Sequence, residues 1–251
     1  MFERAPHDRP SGVRDVEPHP WRPTSLLGRL PPTIRHAALN LGVRRRYRTG
    51  QTLMREGDQT THAVLIRSGH VKVTAATEEG SALLAIRPAG DLVGEMAALN
   101  GTPRMATIRA PVEVLGNQIT QAELLAFLRR YPAVMLAIVD MVGNRLRMAN
   151  RRRLDISYAT TRIRVARILT ELEEGFGRDT SRGRVIEVTL TQAELADLAG
   201  VSCVTVQRAL RELRAAKLIA NEYRRVVVRS PRALRRLARE QENKDPADPI
   251  V

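Results

Sequence analysis

Residues 191–218 read TQAELADLAGVSCVTVQRALRELRAAKL. Thr191 stands where a helix would begin and Glu194 follows three residues later. That is the pattern of a capping box, in which each side chain takes up the other's free backbone N–H. Leu195 and Leu198 share a face, and Ala196 is small where a second helix must come close. Gly200 permits a tight turn, and Ser202 suits the cap of a further helix over 203–216. On that helix Val206, Ala209, Leu210 and Leu213 form an apolar stripe at helical spacing, with Gln207, Arg208, Arg211 and Arg214 left outward. An ordinary helical hairpin would need none of this agreement among caps, turn, stripe and basic face. The stretch therefore reads as a helix-turn-helix. Its second helix would enter the major groove of a DNA duplex with its first residues leading. The candidate DNA contacts are Thr191, Gln192, Ser202, Cys203, Val204, Thr205, Gln207, Arg208 and Arg211. Beyond them, Lys217-Leu218-Ile219 and Val226-Val227-Val228-Arg229 read as the strands of a wing, with Arg224 and Arg225 at its tip to hold phosphate.

The charge of the chain agrees with that reading. The net charge is +14, but residues 51–144 are nearly neutral, with 8 Lys and Arg against 9 Asp and Glu. Residues 145–239 carry 22 against 10, and all but one of those cations are arginine. The planar fork of arginine suits phosphate oxygens and guanine edges. A basic surplus confined to one region is the footprint of a nucleic-acid-binding domain. By itself it would equally fit a solvated basic face.

Upstream of the motif, Arg162 to Gly175 reads as a helix closed by a glycine, followed by a polar loop over 178–184 and a strand over 185–188. Before these lies a long helix opened by Pro132. On it Met135, Val139, Val142, Leu146 and Ala149 recur at 4-3-4-3 spacing, the seam of a two-stranded coiled coil. The charged residues flanking that stripe favour a dimer interface over a face buried within one chain. Gln121 to Arg130 is a short amphipathic helix. From 47 to 118 short apolar runs (64–66, 71–73, 83–86 and 112–115) alternate with glycines, the pattern of a small β-sandwich or barrel. A short helix is expected over 32–41.

Within this β-rich part, Val93-Gly94-Glu95-Met96-Ala97-Ala98 is followed, ten residues after Gly94, by Arg104 in Thr102-Pro103-Arg104-Met105-Ala106-Thr107. Gly94 frees the backbone for close approach, and a helix starting at Glu95 would present N–H groups to an anion. Arg104 would add a bidentate phosphate contact, and Glu95 could accept from a sugar hydroxyl. A ribose phosphate would fit such a pocket. From the residues alone, a Glu95–Arg104 ion pair closing a loop is an equal alternative.

Taken together, Gly94 to Thr107 and Thr191 to Leu218 resemble the Crp/Fnr family of bacterial regulators, and the resemblance runs from about Leu26 to Leu237. Gly94 to Thr107 is also similar to the phosphate-binding cassette of cyclic-nucleotide domains. The resemblance implies that Glu95 binds a ribose hydroxyl and Arg104 a cyclic phosphate, while Gly94 and Met96 lend backbone. Cyclic AMP is the effector it suggests. Met105 stands where a serine, threonine or alanine is common, which argues against cyclic GMP. On the long helix Ala149-Asn150 replaces a Thr-Ser pair that faces adenine, leaving only Asn150 to bond a base. In the recognition helix Cys203 and Val204 replace an Arg-Glu pair while Arg208 is retained, so no operator sequence carries over.

The expectation is an α+β chain with no catalytic constellation, metal site or cofactor. An arm (1–24) would precede a cyclic-nucleotide-binding-type β-roll (25–131). A dimerisation helix (132–157), a winged helix-turn-helix (158–237) and a tail (238–251) would follow. Ligand residues would be Gly94, Glu95, Met96, Arg104, Met105 and Asn150. Partners would be a palindromic DNA duplex, a second copy of the chain and RNA polymerase. No apolar core of a signal peptide occurs in 1–23 and Cys203 is the only cysteine, so the cytosol is the expected compartment, without membrane contact. Two alternatives stay open: a regulator that needs no effector, and a nucleotide-responsive module whose basic region meets other proteins.

Overall fold

The computed structural model describes residues 21–222 and 225–240. Two short helices, α1 (Leu26–Arg29) and α2 (Pro32–Leu39), lead into eight strands. These are β1 (Val43–Tyr47), β2 (Thr52–Met54), β3 (Ala63–Ser68), β4 (His70–Thr77), β5 (Gly80–Pro88), β6 (Leu92–Val93), β7 (Thr107–Arg109) and β8 (Val114–Ile119). Helix α3 (Glu95–Asn100) interrupts them between β6 and β7. They form two four-stranded antiparallel sheets, ordered β1-β8-β3-β6 and β2-β7-β4-β5. Val64 and Ile66 of β3 and Val71 of β4 bury completely in the core between them, as two-sheet packing requires. Val112 and Glu113 fall outside the expected strand, which begins at Val114.

Helices α4 (Gln121–Arg130) and α5 (Pro132–Tyr158) follow. Thr120 and Glu123 close a capping box at the start of α4, and Pro132 sits in the first turn of α5. Val134, Ile138 and Met141 face inward from α5 and bury against the helical side of the roll. One residue further along, Met135, Val139 and Leu146 stay exposed, Val139 and Leu146 at 60% each.

The C-terminal part comprises α6 (Thr161–Phe176), β9 (Gly177–Thr180), β10 (Gly183–Ile186), α7 (Gln192–Ala199), α8 (Cys203–Ala215), β11 (Ile219–Glu222), β12 (Arg225–Val228) and α9 (Pro231–Arg239). Three details depart from the sequence reading. Gly175 lies inside α6, and the helix ends at Gly177 with an extended φ of −78°. The expected polar loop over 178–184 is largely a hairpin of β9 and β10, in a sheet ordered β11-β12-β10-β9. Helix α9 was not foreseen; Leu234, Leu237 and Ala238 pack it against α6. Arg224 of the wing tip and residues 241–251 of the expected tail lie outside the described residues, as do residues 1–20 of the arm.

The C-terminal part docks on the roll. Lys72 Nζ lies 2.5 Å from Glu194 Oε1, and the backbone N–H of Leu83 donates to Asp197 Oδ2 at 2.9 Å. Leu83 belongs to the same apolar cluster as Leu195, Leu198 and Leu213. Phe176 receives the edge of His70 at 5.6 Å and the guanidinium of Arg22 at 5.3 Å. Burial holds the His70 imidazolium down to about 4, with Lys72 adding to the effect, so the ring is neutral at physiological pH. Leu213 of α8 is fully buried. Leu213→Ala should lower unfolding free energy by about 2–5 kcal/mol, read as a shift in the urea midpoint with an unchanged slope.

Candidate effector cavity and DNA-contact face

Gly94 ends β6 with φ +75° and caps α3, a conformation that glycine adopts without strain. A Cβ there would stand 2.5 Å from Arg104 Nη1. Arg104 is buried and folds back over this turn. It donates to the carbonyls of Gly94 (3.1 Å) and His62 (2.6 Å) and, through Nε, to Thr60 Oγ1 (3.0 Å). Burial, and then the Arg104 cation, depress the His62 pKa. Glu95 does not pair with Arg104. Its carboxylate accepts from Arg145 Nη1 of α5 at 2.7 Å, and Arg145 Nη2 donates to Leu92 O (2.9 Å) and Asp91 Oδ2 (3.3 Å). Burial raises the Asp91 pKa, opposed by the nearby cations Arg145 and Arg87.

These groups line a cavity of about 670 Å³ bounded by three parts of the chain. The roll contributes Gly94, Glu95, Met96 and Arg104, α5 contributes Arg145 and Ala149, and the turn after α7 contributes Leu198 to Gly200. Of the sequence-predicted ligand residues, Gly94, Glu95, Met96, Arg104 and Met105 reach the cavity, although Met105 is 71% exposed. Asn150 does not: it is exposed on α5 and outside the cavity lining of its own chain, because the α5 stripe that faces the roll turns it outward. Arg145, Arg87 and Arg152 went unnoticed. Arginine four residues before Ala149 carries no local signal of its carboxylate partners, which lie about fifty residues away in sequence.

The helix-turn-helix has the expected construction. The Thr191 hydroxyl accepts from the Glu194 N–H at 3.1 Å, and the Glu194 carboxylate accepts from the Thr191 N–H at 2.9 Å. Gly200 ends α7 at φ +63°, and Ser202 caps α8. Val206, Ala209, Leu210 and Leu213 bury, while Val204 is 72% exposed. Gln192 and Gln207 join across the two helices at 2.6 Å. Cys203 and Thr205 are half-buried in the first turn of α8. Arg208, Arg211 and Arg225 are exposed and have no ion-pair partner among the described residues. Thr160, Thr161 and Arg162 join Thr205 and Arg208 around a hollow of about 400 Å³ beside the recognition helix. They lie within the expected winged helix-turn-helix segment but carry no local signal of the recognition helix, which packs beside them from about forty residues away in sequence.

A cyclic-nucleotide-type roll ahead of a winged helix-turn-helix is the build of a DNA-binding transcription regulator. Residues 44–131 match the cyclic nucleotide-binding domain, and residues 163–237 match the Crp-like helix-turn-helix domain. The chain belongs to the Crp/Fnr family and is a DNA-binding transcription regulator with a cyclic nucleotide-binding domain. It is 30% identical over 193 residues to the CRP-like cAMP-activated global transcriptional regulator of Mycobacterium tuberculosis, covering 76% of this chain and 85% of that protein. It is 31% identical over 178 residues to the cyclic AMP receptor protein of Thermus thermophilus, covering 70% and 79% respectively. The fold also matches FixK2 from Bradyrhizobium japonicum, with a TM-score of 0.67 and 20% identity over 78% of this chain and 97% of that one. No described helix is long and apolar enough to cross a membrane.

Removing Arg145 would strand two buried carboxylates. Arg145→Ala should cost about 3–5 kcal/mol near neutral pH. The Asp91 pKa is already raised above its unfolded value. Its contribution to stability is therefore present below about 3.8 and lost as pH rises through the folded value. Loss of Arg145 raises that pKa further, so urea denaturation should show a smaller penalty at pH 5 than at pH 7.5.

Proposed function

We propose that this protein is a cytoplasmic, homodimeric transcription factor whose DNA binding is gated by a small anionic effector, such as cyclic AMP, in the cavity between roll, α5 and α7. The observation that carries this reading is the make-up of that cavity. One ligand there would touch the roll at Gly94 and Arg104, the long helix at Arg145 and the turn of the helix-turn-helix at Leu198 to Gly200. A ligand bound more tightly in one arrangement of these three parts would shift the population toward it.

Exposed Met135, Val139, Leu146 and Ala149, with half-buried Val142 beside them, support pairing of α5 with a second copy. Such a dimer would set two recognition helices against successive major grooves, about 34 Å apart, of a palindromic site. Ser202, Thr205, Arg208 and Arg211 would meet that site, with Thr191 and Gln192 at the start of α7. Arg225 and Arg224 would hold the flanking backbone, and Val204 would pack on a thymine methyl. RNA polymerase is the further partner that transcription activation would require.

A second reading, regulation without an effector, draws support from the same site. Arg104 is held by backbone carbonyls, and Glu95 is closed by Arg145. Calorimetric titration with cyclic AMP separates the two. Saturable binding lost in Arg104→Ala, together with tighter operator binding when ligand is present, supports gating. No heat from a folded, DNA-binding dimer favours the second reading. In gel-shift assays Arg208→Ala should weaken specific binding by about 1–3 kcal/mol while leaving non-specific binding nearly unchanged. An equal loss on both would remove its base-reading role.

A further inference from the structure

Seven arginines and four carboxylates line the cavity, a surplus of +3. Asp91, just behind the wall and bonded to Arg145, reduces it to +2. Most of these charges are already spoken for. Arg145 serves Glu95 and Asp91, Arg152 pairs with Glu171 at 2.6 Å, and Arg167 pairs with Asp155. Arg104 uses part of its five-donor fork on Gly94, His62 and Thr60, leaving N–H groups to spare. Arg164 donates to Gly200 O at 3.2 Å, and Arg153 is exposed on α5. Arg87 of β5, half-buried, differs from all of these. Its side chain lines the cavity and makes no hydrogen bond or ion pair with any described residue.

The surroundings of Arg87 make that arrangement costly. Burial, followed by the repulsion of Arg145, lowers its pKa to about 10, only partly offset by Asp91 and Glu95. A half-buried cation without a bonded partner is costly unless an anion is brought to it. Arg87, Arg104 and Glu95 line the same cavity, and both arginines feel the charge of the carboxylate that would take a ribose hydroxyl. A cyclic mononucleotide carries one phosphate charge. It would satisfy Arg104 and leave Arg87 and half the cavity's surplus unanswered.

We propose that the effector of this cavity is a nucleotide with at least two phosphate charges, and that Arg87 takes the second phosphate while Arg104 takes the first. This rests on the effector-gated reading above and names the ligand's charge class. The cavity's extension past the roll to Leu198–Gly200 gives a larger ligand room. Arg87 is then the residue that sets specificity, since it rewards a second phosphate and gives nothing to a ligand without one.

The test is calorimetry on the full-length protein with three adenine nucleotides that differ in charge and shape: cyclic AMP, cyclic di-AMP and ADP. One of the two doubly phosphorylated nucleotides should bind at least about tenfold more tightly than cyclic AMP, the scale of one charge-assisted hydrogen bond. Which of them wins tells a cyclic from a linear ligand. Arg87→Gln should erase the preference while moving cyclic AMP affinity little, and should melt no lower than the parent protein because a partly desolvated, unpaired cation is gone. Arg87→Lys, which keeps the charge but not the fork, should retain part of the preference and serves if the glutamine variant fails to fold. Cyclic AMP binding as tightly as both others, or a preference untouched by either substitution, overturns the assignment of Arg87. Failure of all three nucleotides to bind a DNA-competent protein overturns the effector reading beneath it.

Discussion

The interaction on which the rest of this molecule depends is the grip of Arg145 on the end of β6. One guanidinium reaches Glu95, Asp91 and the carbonyl of Leu92, and so ties the middle of α5 to the turn that lines the cavity. A buried pair of this kind contributes little against a well-packed apolar alternative, because both partners lose water. What it adds is geometry. With Arg145 engaged, α5 has one register on the roll, Val134, Ile138 and Met141 face the roll, and Met135, Val139 and Leu146 are turned outward. Anything that competes for Glu95 acts directly on the helix at the proposed dimer seam.

The arginines divide into two populations, and the division explains why composition pointed toward nucleic acid. Those facing inward, such as Arg145, Arg152 and Arg167, are neutralised by carboxylates within the chain. Those on the outer face of α8 and at the start of α6 are not: Arg162, Arg208 and Arg211 stand exposed without ion-pair partners among the described residues. Exposed like charges repel and are offset only when a polyanion releases its counterions to them. The surplus seen over residues 145–239 is therefore a sum of internal glue and external footprint, and only the second part bears on DNA.

This split also marks how far the sequence could be read. The helix-turn-helix was legible almost to the residue, because a capping box, an αL glycine and a 3.6-residue stripe are local signals, each satisfied within a few positions. The exposed apolar stripe of Met135, Val139 and Leu146 on α5 was legible as a repeat. The inward stripe one residue away was not singled out, since Ile138 and Met141 bury against partners distant in sequence. The pocket was half legible. Gly94, Glu95 and Arg104 carry a local pattern, whereas Arg87 and Arg145 matter only because β5 and α5 converge on β6. The same limit hid the β9–β10 hairpin, whose Arg178-Asp179-Thr180 run has no apolar alternation to betray a strand. It also placed Asn150 at the pocket, whereas α5 turns it outward from the cavity of its own chain.

Coupling between the cavity and the DNA face, if an effector gates this protein, would have two routes of unequal strength. One passes through α5, whose hold on the roll is ionic and partly desolvated. The other passes through the docking of α7 on the β4–β5 hairpin, where Lys72–Glu194, Leu83–Asp197 and a shared apolar cluster join the two parts. Allosteric coupling energies are about 1–3 kcal/mol, comparable to a few partly exposed contacts and well below the cost of dismantling a core. The docking of α7 is of that size and lies beside the cavity, whereas separating Val134 and Ile138 from the roll would cost several times more. A ligand in the cavity would therefore act most readily on α7 and its turn at Gly200, where a modest change in contact with the cavity wall would move the first helix of the DNA-binding motif while the roll and its inward-facing helix stripe stayed as they are.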